Sequence, residues 1–208
     1  MSQYFQIHPE TPQPRLIRQA VDILNKGGVI AYPTDSAFAL GCHLGDKKAA
    51  ERIKWIRNLD DKHNFTLVCP DLSAIGTYAK VDNIQYRFLK SHTPGPYTFI
   101  LDATNEVPRR LLHPKRRHIG IRVPDNRIVQ ALLEELGEPI MSTTLQMPGD
   151  EWPMSDPEDI RDRLEHHVDL VIEGGPGDRE PTTVVDMTGE VPQVMRQGKG
   201  ATAPFEDL

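Results

Sequence analysis

Small hydroxyl and carboxylate side chains follow a short apolar segment near the start of the chain. Residues 32–42 read YPTDSAFALGC, directly after the predicted buried strand 29–33. Open α/β sheets bind ligands at the carboxyl ends of their strands, which makes Thr34 a candidate ligand contact. The alternative is a turn in which these side chains cap the next element.

Positive charge gathers at a predicted helix end and in the loop that follows it, residues 52–64. Arg57, Lys62 and His63 supply the donors that phosphate oxygens accept in charge-assisted hydrogen bonds. A solvated helix face would show the same spacing of cations. The segment is therefore a candidate phosphate site with an ordinary structural alternative.

Two further segments place polar groups on predicted apolar strands. Arg122 lies within IGIRVP (119–124), where its charge needs an anion, either a ligand or an internal carboxylate. Ser142 and Thr144 stand at the exit of the predicted strand 139–142. Their hydroxyls can donate to phosphate oxygens, and they can equally cap the amides of their own loop.

Residues 109–118 form a basic run of five Lys/Arg and two His without an acidic residue. Its cations are Arg109, Arg110, Lys115, Arg116 and Arg117. Such a run attracts RNA, and the binding would weaken steeply with salt. The alternative is an exposed loop that balances acidic residues elsewhere, because no stacking aromatic side chains are interleaved with the charges.

Composition narrows the class of protein. The chain has 208 residues, a net charge of −6 and 38% hydrophobic residues, which excludes wholesale disorder. The charge is divided, with +7 over residues 1–133 and −13 over residues 134–190. Two cysteines without a CxxC motif argue against a disulfide scaffold and a cysteine zinc site. Nothing predicts a signal peptide or a membrane span, so a cytoplasmic location with no membrane partner is expected.

Helical and strand patterns alternate along the chain, which predicts a single α/β domain over residues 1–208. The core is expected over about 15–198, with a loosely held tail at 199–208. Predicted helices cover 16–24, 47–58, 72–79, 84–90, 126–136 and 157–164. Predicted strands cover 29–33, 65–69, 97–101, 119–123, 139–142, 170–172, 183–186 and 191–196.

The order of several motifs resembles that of the YrdC/YciO family of threonylcarbamoyl-AMP synthase-like proteins. These motifs are YPTDSAFALGC (32–42), TPGPYTFIL (93–101), IGIRVPD (119–125), EPIMST (138–143), VDLVIEGG (168–175), PTTVVD (181–186) and VMRQG (194–198). Residues 56–67 and 142–146 look most like the YciO branch. The resemblance covers nearly the whole chain, from about Arg15 to Gly198.

The resemblance implies a twisted, mostly parallel open sheet with helices on both faces and a large, positively lined cavity. It also implies a nucleotidyltransferase that joins L-threonine, bicarbonate and ATP into threonylcarbamoyl-adenylate and pyrophosphate, for the threonylcarbamoyladenosine modification of tRNA. Mg²⁺ would accompany the ATP, and no tightly bound metal held by the protein is expected. The cations and hydroxyls for the phosphates would come from dispersed loops, because no P-loop motif is present.

The resemblance also assigns residues to roles. The substrate side would be formed by Thr34, His63, Arg122, Ser142 and Thr182. The nucleotide side would be formed by Arg57, Lys62, Ser142, Thr144 and Arg196. Arg122 would hold the carboxylate of the amino acid, and Arg57 and Thr144 would carry what remains of the catalytic motifs.

Two family motifs are altered in this sequence. The KxR positions read Arg57-Asn58-Leu59, and the SxN positions read Thr144-Leu145-Gln146. Leu59 cannot neutralise a phosphate, and losing one such contact costs about 2–4 kcal/mol of transition-state stabilisation. The sequence therefore predicts a synthase of weakened or altered activity, with a non-catalytic module that binds double-stranded RNA or tRNA as the alternative.

Overall fold

The computed structural model describes residues 1–63, 65–112 and 115–206. In these ranges the chain forms ten β-strands, six α-helices and two short 3₁₀ helices. The strands are β1 (Gln3–Gln6), β2 (Ile30–Tyr32), β3 (Ala39–His43), β4 (Thr66–Val68), β5 (Tyr97–Asp102), β6 (His118–Arg122), β7 (Ile140–Thr144), β8 (Leu170–Glu173), β9 (Thr183–Asp186) and β10 (Gln193–Arg196). The α-helices are α1 (Pro14–Asn25), α2 (Lys47–Arg57), α3 (Leu72–Tyr78), α4 (Asn83–His92), α5 (Arg127–Leu136) and α6 (Pro157–Leu164), and the 3₁₀ helices are Arg109–Leu111 and Ala203–Phe205.

All ten described strands belong to one open sheet in the order β1-β8-β2-β3-β7-β4-β6-β5-β9-β10. Four neighbouring pairs are parallel, namely β1/β8, β2/β8, β4/β6 and β5/β9. The other five pairs are antiparallel. The expected α/β open sheet is confirmed, and its strand pairs are of both kinds.

Alternating side chains of the strands feed two separate cores. Ile30 and Tyr32 of β2 pack with helices α1 and α5, whereas Ala31 between them packs on the other side with helix α2. The same alternation divides Ile140 from Met141 in β7. Because strand side chains alternate in direction, the two clusters lie on opposite faces of the sheet, and helices cover both.

Helix α2 positions Arg57, the first of the residues predicted to bind phosphate. The Asp46 side chain accepts a hydrogen bond from Ala49 N (2.9 Å) and begins the helix. Asn58 ends it in the left-handed conformation, with φ 53°. Arg57 is therefore the last helical residue, and the chain turns away directly after it.

The described part of the tail makes contacts with the rest of the domain. Lys199 N donates to Pro181 O (2.9 Å), and the Thr183 hydroxyl donates to Gly200 O (2.6 Å). Phe205 is buried among the rings of Phe88 and Tyr97. The buried ring of Phe205 and the bonds to Pro181 and Thr183 favour a firmer attachment of residues 199–206, and the loosely held tail stays a prediction; residues 207 and 208 lie outside the described residues. In the described ranges, no helix is long and apolar enough to span a membrane.

Candidate functional site

A cavity of about 260 Å³ lies over strands β4, β6, β5 and β9. It is lined by Arg57, His63, Thr66, Thr98, Ile100, Gly120, Thr143, Thr144, Gln146, Pro181, Thr182, Val184 and Arg196. Five of these residues are threonines, two are arginines, and no carboxylate is among the described lining residues. The wall therefore offers mainly donors and positive charge.

A glycine lies between two threonines at the floor of the cavity and leaves space there. Gly120 of β6 lies opposite Thr66 of β4 in the sheet. A Cβ atom at Gly120 would meet Thr66 Oγ1 at 3.1 Å and Thr98 Cγ2 at 3.2 Å. The absent side chain thus leaves room above the sheet, and both threonines border that room.

One wall is built from the end of helix α2, the following loop and the end of β7. Arg57 Nη1 donates to Thr143 Oγ1 (2.6 Å), and Arg57 Nε donates to Gln146 O (3.0 Å). His63 Nε2 lies 3.3 Å from the same Thr143 Oγ1. The structure therefore joins Arg57 and His63 through a threonine that sequence analysis did not select.

The opposite wall is formed by Arg196 at the end of β10 and Thr182 before β9. Arg196 donates to Thr182 O from Nε (3.1 Å) and Nη2 (2.7 Å). The hydroxyls of Thr182 and Thr98 are 2.8 Å apart. These bonds fix the guanidinium of Arg196 against the sheet.

The cations of the cavity are partly removed from water. Burial lowers the pKa of Arg57, and burial together with the charge of Arg122 lowers the pKa of Arg196. Burial and then the charge of Arg57 lower the pKa of His63. An anion in the cavity would offset these unfavourable effects, because it stabilises each protonated form.

A second cluster surrounds Arg122. Its Nη2 donates to Asp35 Oδ1 (2.5 Å) and to Ser36 Oγ (3.2 Å). Sequence analysis left open whether Arg122 pairs with a ligand or with an internal carboxylate. The structure pairs it with Asp35, within the YPTDS segment. Arg122 Nε is buried and has no hydrogen-bond partner among the described residues.

The Thr34 loop is held mostly by its own bonds. Thr34 Oγ1 donates to Ala37 O (2.8 Å) and accepts from Ser36 N (3.0 Å), which is the turn that sequence analysis gave as the alternative. Lys199 Nζ donates to Asp35 O (2.8 Å) and pairs with Asp178 Oδ2 (2.7 Å). Lys199 lowers the pKa of Asp178. Thr34 and Arg122 lie outside the described lining of the cavity, although the charge of Arg122 reaches Arg196.

Ser142 occupies a buried position between strands. Its hydroxyl donates to Leu40 O (2.9 Å) and lies 2.7 Å from the hydroxyl of Tyr32. Burial raises the pKa of Tyr32 to about 12, so the phenol stays protonated and donates to Ser142. Both hydroxyls are satisfied inside the protein, and the ligand contact assigned to Ser142 stays a prediction.

The other residues predicted to bind phosphate do not all lie in the cavity. Thr144 lines the cavity, whereas Lys62 is exposed on the loop after α2 and outside the described lining. Leu59 is half-buried. The Gln146 side chain donates from Nε2 to Asp150 O (2.9 Å), so its amide supports a neighbouring loop.

The basic run borders a groove of about 430 Å³ beside helix α2. Arg109 and Arg110 line it together with Lys47 and Lys54, and Glu51 and Asp61 lie in the same groove. Arg116 and Arg117 are exposed, and Arg117 Nη2 donates to Asn105 Oδ1 (2.9 Å). Lys115 is also exposed. Residues 113 and 114 of the run lie outside the described residues.

The side chains of the cavity do not suit a metal held by the protein. Mg²⁺ prefers oxygen ligands with carboxylates, and the described lining supplies none. In the described part of the chain, no group of three or more His, Cys, Asp and Glu residues comes together. A Mg²⁺ ion here would belong to the phosphates of a nucleotide.

Sequence analysis missed Thr66, Thr98, Thr143 and Asp35. Thr66 and Thr98 sit at alternate positions of apolar strands, a pattern that equally fits an ordinary half-buried strand face. Thr143 was visible only as the middle of three consecutive hydroxyls. The partner of Arg122 could not be chosen among 30 acidic residues without the fold.

Comparisons with known proteins identify relatives of this chain. Residues 22–198 match the model of the Sua5/YciO/YrdC family, which carries the description "Telomere recombination". A protein of Haemophilus influenzae is 63% identical over 99% of this chain and all of its own length. A threonylcarbamoyl-AMP synthase of Photobacterium profundum is 30% identical over 88% of this chain and 98% of its own.

Solved structures show the same fold. The crystal structure of Escherichia coli YciO is 60% identical, has a TM-score of 0.96 and covers 99% of this chain and all of its own. P. abyssi Sua5 in complex with L-threonine has a TM-score of 0.85 at 23% identity, covering 94% of this chain and 57% of its own. With a family match over most of its length and close relatives along all of it, this chain belongs to the Sua5/YciO/YrdC family.

Proposed function

We propose that the cavity binds the phosphates of ATP or a related nucleotide, and that the protein is a threonylcarbamoyl-AMP synthase-like nucleotidyltransferase of reduced activity. The observation that carries the proposal is the pair of arginines, half-buried Arg57 and exposed Arg196, at a threonine-lined cavity without a described carboxylate. Guanidinium groups bind phosphate through charge-assisted, forked hydrogen bonds, and the threonine hydroxyls of the cavity supply further donors.

The neighbouring cluster suits an amino acid. Arg122 Nε is a buried donor without a described partner, and a carboxylate oxygen could accept a hydrogen bond from it. The charge of Arg122 also influences Arg196. L-Threonine is the proposed substrate because a relative with this fold is a threonylcarbamoyl-AMP synthase and another fold neighbour was solved with L-threonine. The two ligands would then lie side by side.

Reduced activity follows from the side chains that are missing. Leu59 supplies no charge where the family motif has an arginine, and the amide of Gln146 is bonded to Asp150 O. One lost charge-assisted contact to the reacting phosphates lowers the rate about 10²–10³-fold. Bicarbonate would supply the carbon of the product, as the resemblance implies.

The test is release of pyrophosphate that depends on threonine, with ATP, Mg²⁺ and bicarbonate present. Binding of ATP is measured in parallel by calorimetry. Arg57→Ala and Arg196→Ala should each weaken ATP binding at least 10-fold, since each removes a charged donor. Arg18→Ala on the exposed face of α1 is the matched control and should leave binding unchanged.

Two results would count against the proposal. Equal ATP affinity in Arg57→Ala, Arg196→Ala and Arg18→Ala would exclude this cavity as the phosphate site. Turnover no higher than that of Thr34→Ala would exclude the synthase reaction. If the alanine variants fail to fold, Arg57→Lys and Arg196→Lys keep the charge and should retain intermediate affinity, because lysine lacks the forked donor geometry.

RNA binding is the second candidate function, and the exposed cations of the basic run favour it. Arg109 and Arg110 border the groove beside α2, and Arg116 and Arg117 continue the charge around the loop. Duplex RNA or tRNA would contact these cations through its phosphates. Glu51 and Asp61 in the groove weaken its potential, which makes the binding modest.

The second candidate is tested by the salt dependence of binding to duplex RNA. Arg116→Glu with Arg117→Glu should weaken binding and flatten its dependence on salt, because each lost phosphate contact reduces the slope. Arg15→Glu with Arg18→Glu on α1 changes the net charge equally and should have a smaller effect. Equal effects of the two double variants would exclude a specific role for the basic run.

A further inference from the structure

The hydroxyl of Thr143 lies within hydrogen-bond distance of both Arg57 and His63. Arg57 Nη1 is 2.6 Å from Thr143 Oγ1, and a guanidinium can only donate. The hydroxyl therefore accepts from Arg57 and keeps its own proton for another acceptor. His63 Nε2, 3.3 Å away, can be that acceptor when it carries no proton.

Donation from Thr143 to His63 corresponds to a neutral imidazole with its proton on Nδ1. The charged groups around it favour that state overall: Arg57 and Lys54 of α2 disfavour the imidazolium, and Asp60 in the loop opposes them. Phe65 packs its ring edge-on against the imidazole, with ring centroids 6.1 Å apart, which adds to the desolvation. A neutral imidazole beside a hydroxyl in a cavity is the arrangement of a general base.

We propose that Thr143 and His63 form a proton relay in which Thr143 contacts the substrate amine and His63 receives the proton through it. This inference rests on the proposed synthase function and names the proton acceptor that its first step needs. In that step the free amine of the amino acid bonds to the carbon of CO₂ and must lose one proton. Thr143 Oγ1 accepts this proton while the original hydroxyl proton passes to His63 Nε2.

The proton balance closes with the other substrate. Conversion of the next bicarbonate to CO₂ and water consumes one proton, and the His63 imidazolium formed in this turnover supplies it, so that His63 is neutral again for the next amine. The carbamate oxygen then bonds to the α-phosphorus of ATP, and the bond from that phosphorus to pyrophosphate breaks. Arg57 assists by donating to Thr143 Oγ1, because its charge stabilises the oxygen as its proton leaves.

The experiment measures threonine-dependent pyrophosphate release from pH 5.5 to 9 for wild type, His63→Gln, Thr143→Val and Thr143→Ser. His63→Gln and Thr143→Val should each lower kcat about 100-fold, with ATP affinity by calorimetry within about threefold of wild type. The acidic limb of the pH profile, which wild type should show, should disappear in His63→Gln. Thr143→Ser keeps the hydroxyl and should retain most of the activity.

The double variant His63→Gln with Thr143→Val separates a relay from two independent contacts. Groups that act as one unit give non-additive losses, so the double variant should be no slower than either single variant. Multiplied losses would overturn the relay. A ¹⁵N NMR spectrum of the free protein at pH 7 should show His63 Nε2 without a proton, and a protonated Nε2 would also overturn it.

Failure of the relay and failure of the proposed function give different results. If wild type turns over and His63→Gln is equally active with the same acidic limb in its pH profile, the relay alone is excluded. Wild type without threonine-dependent turnover removes the synthase function, and the relay falls with it. Unchanged ATP binding in His63→Gln shows that a loss of turnover does not come from unfolding.

Discussion

Arg122 and Asp35 form a buried ion pair between strand β6 and the loop after strand β2, with Nη2 2.5 Å from Oδ1. The two side chains are 9% and 10% exposed. Asp35 Oδ2 also accepts from Asp125 N (2.8 Å), so the same carboxylate joins the loop to the segment after β6. The pair therefore orients the Thr34 loop and the one buried donor of Arg122 that has no described partner.

Removing the carboxylate should cost far more stability than removing an exposed one. We expect Asp35→Ala to lower the free energy of unfolding by about 3–5 kcal/mol, because it leaves a buried guanidinium unpaired. The measurement is urea unfolding followed by circular dichroism. Asp22→Ala, which breaks the exposed pair of Asp22 with Lys26, should cost about 0–1 kcal/mol. Equal losses for the two variants would contradict the structural role of Asp35.

Ser142→Ala should lower stability without weakening ATP binding. The substitution leaves the buried Tyr32 hydroxyl without its acceptor, which costs about 1–3 kcal/mol. Urea unfolding and calorimetry with ATP give the two readouts, and Ser73→Ala on the exposed face of α3 is the control. A stable variant with weakened ATP binding would instead assign Ser142 to the ligand, as the family resemblance implies.

His63 should make the protein less stable in acid. Its pKa lies below the usual 6.5, so in moderately acidic solution the unfolded chain binds a proton that the folded His63 does not. This contribution is absent above the usual pKa and grows as the pH falls towards the lowered pKa. His63→Gln should thus gain stability relative to wild type between about pH 7.5 and 5.

Urea unfolding of both proteins at several pH values measures this difference. His166→Gln, at an exposed histidine, is the matched control. A stability difference between His63→Gln and wild type that stays constant with pH would show that His63 does not titrate differently in the folded protein.

The C-terminal segment should contribute to stability. Phe205 is 5% exposed and lies against Phe88, His92 and Tyr97. Phe205→Ala should lower the free energy of unfolding by about 3–5 kcal/mol through the cavity it leaves. Val191→Ala, at a side chain that is 55% exposed, serves as the control. A loss for Phe205→Ala no greater than that of the control would support a loosely attached tail.

A cation at position 59 should raise turnover. Leu59→Arg restores the charge that the family motif has there, and one new phosphate contact should raise kcat/KM for ATP at least 10-fold. Leu59→Met keeps the size of the side chain without adding charge and should behave like wild type. If the arginine and methionine variants turn over equally, Leu59 does not limit the activity.

Local patterns predicted the elements that have strong local signals. Helix α6 was expected over 157–164 and occupies Pro157–Leu164, because proline at its start and an apolar stripe determine both ends. Strand β3 (Ala39–His43) was missed, since AFALGC has no polar alternation and reads as part of a loop. Its environment explains the sequence: a Cβ at Gly41 would lie 2.8 Å from both Tyr32 and Ile140.

The site depends on contacts that no local pattern contains. Arg57 and Thr143 are 86 residues apart, and Arg122 and Asp35 are 87 apart. Sequence analysis found one member of each pair from its unusual position and could not find the other. Ser142 and Thr143 are adjacent in β7, but their hydroxyls have different surroundings because the two side chains point to opposite faces of the sheet.

Strand β8 lies between β1 and β2, although 137 residues separate Tyr32, the last residue of β2, from Leu170, the first residue of β8. During synthesis on the ribosome, the N-terminal half of the sheet therefore keeps an open edge at β2 until most of the chain has emerged. Pairings so distant in sequence slow folding and expose unpaired strands to other nascent chains. For this family member, the order of synthesis places completion of the sheet among its last folding events.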